Sequence, residues 1–287
     1  MKYIMLYIMK YIMLYILFYI KFIYIMNSQF ILNYCGQKFK ESKKLDDLNI
    51  DFSKIKTIIE PFGGSFGYSR YLWEIKDLKN IKYIVYDTDK NLIDFYNYFK
   101  QLIIEDKVND FINEYNNIMD YIKENHNYKG HERIINTKDT KEYIKTITDK
   151  HMNFLLNINL FRGVRATTSY KKKLKFLDMI KQTEFIYGDI IDIDFKQYDK
   201  KTTLIYLDPP YISSDNSRYI CVDDNFYFNK VMEKIILLLK NNKCLFIHNY
   251  NYLMDELFKY KKINKLLEYD KKYCSGKNNI HFVYGKT

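Results

Sequence analysis

Four apolar or aromatic residues, Leu204-Ile205-Tyr206-Leu207, run directly into Asp208-Pro209-Pro210-Tyr211. The first half reads as a strand buried on both faces, as in a parallel sheet. The prolines then end the ladder, because neither can donate a backbone N–H. They also confine the backbone after Asp208 to a narrow range of dihedrals. A carboxylate, stiff carbonyls and an aromatic ring are thus presented together at the C-terminal end of a strand, where open α/β sheets hold their ligands. Such a group suits an exocyclic nucleobase amine, whose lone pair is delocalised into its ring. Two acceptors, Asp208 and the Pro209 carbonyl, would draw that nitrogen toward a tetrahedral shape, while Tyr211 stacks on a base taken out of its helix. The same residues also suit a plain strand that ends in a proline turn with a capping aspartate.

Upstream, Lys56 to Arg70 places a short strand, Thr57 to Ile59, before Glu60-Pro61-Phe62-Gly63-Gly64-Ser65-Phe66-Gly67, and a helix is expected to begin near Ser65 to Tyr68. Gly63, Gly64 and Gly67 would let backbone approach a bound ligand closely. There is no Gly-Lys-Ser/Thr, so this is not a phosphate loop; Glu60 and Phe62 suit a cationic cofactor instead. Lys82 to Asp87 is the next strand, and it too ends in an acid. Asp87 then falls where ribose hydroxyls are bound in such sheets, or else caps the helix expected over Asn91 to Lys100. Glu184 to Asp189 and Lys243 to Asn249 are further strands, Phe226 to Lys240 and Tyr252 to Tyr260 are helices, and the tail closes as a hairpin. Residues 212–225 read as a mobile loop, and His248 as a structural residue.

Between the two blocks of strands, residues 101–183 are polar, rich in Lys and Asn, and helical in pattern. Three expected regions follow: 27–100 and 184–287 form one catalytic domain, and 101–183 is a helical insert. Residues 1–26 are a near-repeat of Tyr, Ile, Met and Leu broken by Lys2, Lys10 and Lys21. Their longest apolar run, Tyr11 to Ile20, is about half of the roughly 20 residues that a membrane span needs. We expect low-complexity sequence outside the fold, upstream of a start at Met26, with a weak membrane anchor as the alternative.

With 46 Lys+Arg against 35 Asp+Glu the formal charge is +11, and 30 Tyr and 20 Phe accompany it. That suits a polyanion with stackable bases, although an AT-rich coding bias toward Lys, Ile, Asn and Tyr explains much of it. Cys35, Cys221, Cys244 and Cys274 are scattered, which suggests neither a zinc site nor a disulfide framework and fits an intracellular setting. Methylation at a pyrimidine ring carbon is excluded: it uses a thiolate directly after a proline, and Pro61, Pro209 and Pro210 precede Phe62, Pro210 and Tyr211.

Taken in order, these motifs resemble the Dam-type (alpha-group) adenine-N6 DNA methyltransferases from about Met26 to the C-terminus. Glu60 to Gly67 is similar to that family's cofactor motif and Asp208-Pro209-Pro210-Tyr211 to its catalytic motif. Asn33-Tyr34-Cys35-Gly36-Gln37-Lys38 resembles its N-terminal motif, so Tyr34, Gly36 and Lys38 would contact the methionine part of the cofactor. Gly188-Asp189 resembles the pair whose acid reads the cofactor adenine, and Asp87 falls on the ribose-binding acid. The resemblance implies a Rossmann-like α/β sheet, S-adenosylmethionine as cofactor, no metal, and double-stranded DNA as partner in a restriction-modification setting. It makes the insert a target-recognition subdomain, with Asn157, Arg162 and Arg165 in the recognition segment. Lys171 and Lys172 would meet phosphates, or form an ordinary solvated face. Two departures, Arg162 in place of an asparagine and a short stretch after Tyr273, leave the recognition sequence open. A methyltransferase acting on RNA or a protein glutamine amide would share the proline motif but would not need the insert. An inactive DNA-binding relative would keep the fold alone.

Overall fold

The computed structural model describes residues 28–32, 38–125, 138–162, 170, 173–210, 225–249, 251–272 and 278–286. Residues 1–26, Tyr34, Gly36, Arg165, Lys171, Lys172 and Tyr211 lie outside them, as do the loop over 212–224 and the side chain of Arg162.

The strands are β1 (Ser28–Gln29), β2 (Thr57–Glu60), β3 (Lys82–Asp87), β4 (Lys173–Leu174), β5 (Glu184–Tyr187), β6 (Thr203–Leu207), β7 (Lys243–Asn249), β8 (Lys265–Lys272) and β9 (Asn278–Lys286). The helices are α1 (Gly67–Ile75), α2 (Lys90–Ile104), α3 (Val108–Asn125), α4 (Lys138–Lys145), α5 (Lys150–Asn157), α6 (Leu177–Gln182), α7 (Asn225–Asn241) and α8 (Tyr252–Tyr260).

Seven strands make one sheet in the order β5-β3-β2-β6-β7-β9-β8. β5, β3, β2, β6 and β7 run parallel, and β9 is antiparallel to both β7 and β8. From β2 the chain winds outward through β3 to β5, then returns to lay β6 on the other side of β2. The order therefore reverses between β2 and β6, and their C-terminal ends flank a topological switch point. Ile59 pairs with Ile205, so three residues beyond each partner lie Phe62 and Asp208. The glycine bend and the acid of the proline motif are neighbours at one end of the sheet.

Alternation along the central strands divides the core. Ile58 and Leu204 point to one face and Ile59 and Ile205 to the other, all at 0% exposure. Burying each of these side chains contributes about 2 kcal/mol. α7 and α8 cover the second face through Ile235, Leu238 and Phe258. α1 and α2 cover the first, and Phe111, Tyr115, Ile144, Met152, Leu155 and Leu160 of the segment 101–183 join the same cluster. That segment begins inside α2, which runs on to Ile104, and ends where β5 starts. Its helices pack on α2 and on one another, and share one buried cluster with α2 and that face of the sheet.

Candidate active site

The ends of β5, β3, β2 and β6 lie side by side at one end of the sheet, and each carries or is followed by an acid. At the β2 end Gly63 donates to Tyr86 O at 2.7 Å. Asp87 Oδ2 accepts from Gly64 N–H at 2.8 Å, and Oδ1 accepts from Asp89 N–H at 2.8 Å. Asp87 thus clips the glycine bend to the β3 end. The α2 cap is Asp89, whose carboxylate accepts from Asn91 and Leu92. Burial raises the Asp87 pKa, against the opposing N–H groups of Asp89 and Gly64. Gly188 N–H reaches Asp87 O at 3.1 Å, and Asp189 Oδ1 accepts from Ile191 N–H at 2.9 Å, which brings the β5 end alongside.

Two of the glycines also meet protein where a Cβ would stand. A Cβ on Gly63 would stand 2.3 Å from Val85 Cγ1 and 2.9 Å from Tyr86 O. One on Gly67 would stand 2.7 Å from Lys38 N and 2.8 Å from Phe39 N. Both spaces are filled by protein: Gly63 lets β2 close on β3, and Gly67 lets the backbone at Lys38 and Phe39 press on the start of α1. The bend is braced from beneath by Arg70, which is 2% exposed. Its Nε donates to Ser65 O at 2.8 Å, and its guanidinium lies 3.9 Å over the Phe30 ring, a cation–π contact in a dry site.

Glu60 is 2% exposed, and its Oε1 accepts from Ser69 N–H at 2.6 Å inside the first turn of α1. Burial, with a smaller push from Asp208, carries its pKa up to about 7 against the Ser69 hydrogen bonds and the charge of Arg70. The folded protein holds this proton more tightly than the unfolded chain, whose value is 4.5. The stabilisation is therefore complete below pH 4.5 and is lost as pH rises through 7, on the order of 3 kcal/mol. Glu60→Gln keeps the acceptor and removes the titration. Thermal melts should show its gap in Tm between pH 5 and pH 8 narrower than that of the wild type by several degrees; an unchanged gap contradicts this.

At the β6 end Asp208 meets Lys38, whose ammonium donates to Oδ1 at 2.8 Å, with side-chain exposures of 14% and 7%. The sequence reading put Lys38 with the cofactor; its contact here is the acid itself, 170 residues along the chain. Glu41, Lys271, Tyr269 and His281 form a polar cluster beside this pair. Glu41 accepts from the Tyr269 hydroxyl at 2.7 Å and from the Lys271 ammonium, and lies 3.0 Å from His281 Nδ1. Burial would raise the Glu41 pKa, but its close contact with His281 and the charges of Lys38 and Lys271 hold it well below the carboxylate range. None of these four residues was singled out from sequence. In a chain with 46 Lys+Arg, an ion pair between distant segments has no local signature.

The structure brings Glu60, Pro61, Phe62, Gly63, Asp87, Asp189, Asp208, Pro209 and Pro210 to one end of the sheet. Of the recognition segment, the described part is Asn157 and the backbone of the turn that follows it. Arg162 closes the turn Ile158–Arg162, and both Asn157 amide contacts, at 2.9 and 2.8 Å, go to Asn153 one turn back. A cavity of about 260 Å³ lies elsewhere, toward the C-terminal end of α1, and is lined by residues that include Leu45, Asp46, Leu72 and Lys76.

No family model and no curated protein matches the sequence. The fold is similar to several solved structures, all at low identity. The "delta-N METTL16 MTase domain" shares 8% identity over 88% of this chain and 84% of that one, with a TM-score of 0.40. A putative ribosomal RNA methyltransferase from Plasmodium falciparum shares 14% over 88% and 98%, at 0.36. The methyltransferase domain of bacterial CtHen1 shares 7% over 86% and 98%, at 0.34. Likenesses this loose carry no weight for activity, which is argued from the site.

Proposed function

We propose that this chain is an S-adenosylmethionine-dependent methyltransferase that acts on the exocyclic amine of a flipped adenine in double-stranded DNA. The observation that carries the reading is the pairing of β2 with β6, which sets the glycine bend and Asp208 side by side across the switch point. The donor set fits the cofactor. Carboxylates at the ends of β3, β5 and β6 suit hydroxyls and a sulfonium cation, and would repel a phosphate. Phe62 to Gly64 would hold the cofactor, with Asp87 on the ribose hydroxyls and Asp189 at the adenine. When bound, it supplies an electrophilic methyl group. Asp208 and the Pro209 carbonyl accept the two amine hydrogens, which returns lone-pair density to the nitrogen, and Asp208 takes the proton that the alkylated nitrogen sheds. Positioning and fixed charge supply the rate. Asp87→Ala should weaken cofactor binding about tenfold through the loss of charge-assisted hydrogen bonds, read by calorimetry; unchanged affinity would remove the ribose role.

An RNA target is the second reading, and one structural observation keeps it. An RNA enzyme would not need the insert for recognition, yet the insert's helices share a buried cluster with α2, a packing role that does not depend on the polymer. Methyl-labelled cofactor, duplex DNA and single-stranded RNA, each digested to nucleosides for mass spectrometry, separate the two. N6-methyladenine in DNA supports the first reading, the corresponding ribonucleoside moves the target to RNA, and label in neither overturns both.

A further inference from the structure

We propose that Lys38 and Glu41 are positioning residues for Asp208, joined in one turn that straps the β6 end to the terminal hairpin. The inference rests on the methyltransferase reading and moves Lys38 from the cofactor to the acid.

Ser42 gives both its N–H, at 2.8 Å, and its hydroxyl, at 2.7 Å, to Lys38 O, so residues 38 to 42 form a single turn. The start of that turn is wedged on Gly67. Its two charged side chains reach in different directions. Lys38 goes to Asp208 just after β6, and Glu41 goes to Tyr269 and Lys271 on β8 and His281 on β9. An ammonium on Oδ1 sets the rotation of the Asp208 carboxylate about its Cβ–Cγ bond, and a nucleophilic amine is sensitive to that angle. The arrangement needs Glu41. Lys38 and Lys271 are like charges in a buried site, where each disfavours the other. Glu41 lies between them in charge terms, because both lower its pKa. Other ionisable groups whose titration Asp208 influences include Glu60, Tyr206, His248 and Lys271. Of all these, Lys38 is the one in ion-pair contact with it among the described residues.

The test compares full-length wild type with Lys38→Met, Lys38→Arg, Glu41→Gln and the double variant Lys38→Met/Glu41→Gln. It reads kcat and KM for methyl transfer, cofactor Kd by calorimetry, and Tm. Lys38→Met should lower kcat about a hundredfold, Glu41→Gln about tenfold, and the double variant no further than Lys38→Met, because residues that act as a unit are not additive. Cofactor Kd should stay within about threefold, and Lys38→Arg should recover most of kcat, because it restores a cation at the acid. If Lys38→Met does not fold, Glu41→Gln carries the test, since it keeps the shape of the side chain. A raised cofactor Kd with unchanged kcat returns Lys38 to the cofactor and overturns the inference. So do additive losses, or a fall in Tm alone. Wild type that transfers no methyl group overturns the underlying reading, which is a different result from active wild type beside an equally active Lys38→Met.

Discussion

Asp208→Asn should lower methyl transfer by at least about a thousandfold and leave cofactor affinity within a few-fold. The replacement keeps the size of the side chain but removes its charge and turns one acceptor into a donor. A target amine then meets an N–H where it needs a lone pair. Asp208 directly follows β6, whereas the clip between Asp87 and Gly64 joins the ends of β2 and β3, so the residues assigned to the cofactor are untouched. The cost to stability is separate. Lys38 is buried and loses a charged partner, which destabilises by about 1–3 kcal/mol and is visible in a urea melt. Single-turnover transfer with labelled cofactor reads the first effect, and calorimetry reads the affinity. Near-normal transfer in this variant would remove Asp208 from the chemistry.

The second large effect is expected from Gly67→Ala. In an ordinary helix position this change is favourable by roughly 1 kcal/mol. Here the new methyl would stand 2.7 Å from Lys38 N and 2.8 Å from Phe39 N, and both obstacles are backbone. The turn carrying Lys38 and Glu41 has to lift away from α1, at a cost of about 3 kcal/mol. Tm should fall by roughly 6–12 °C for a domain of this size. Transfer at a temperature where the variant is folded should also fall, because the same displacement draws Lys38 from Asp208. A variant as stable as the wild type, or more so, would show that the contact between the turn and α1 is not as described.

The sheet was legible because its parallel strands are buried on both faces and so read as unbroken apolar runs. Lys82 to Asp87 and Lys243 to Asn249 match their strands end to end, and Tyr252 to Tyr260 matches its helix. The acids that follow those runs marked the strand ends, and the return from β5 to β6 placed them together. Side-chain roles were less legible. Glycines announce close approach but not what approaches, and Gly63 and Gly67 turn out to face protein. Glu60 read as a cofactor-facing acid, yet its hydrogen bond lies nine residues on, inside α1. Polar composition suggested that segment 101–183 stands apart. Its apolar residues recur at helical spacing within that polar background, and they join the buried cluster that includes α2. The contacts of Glu41 with Lys271 and His281 span most of the chain, and only the folded turn brings them together.

On the methyltransferase reading, the cofactor binds where the ends of β2 and β6 lie side by side, next to Asp208. Ultraviolet crosslinking of methyl-labelled S-adenosylmethionine to the protein, followed by peptide mapping, tests it directly. Label should fall on peptides that contain Phe62 to Gly67, Asp87 to Asp89 or Asp208 to Pro210, and excess S-adenosylhomocysteine should suppress it. Label that is absent, or that falls on the cavity beside Leu45, Asp46 and Lys76 and ignores the competitor, would contradict the account.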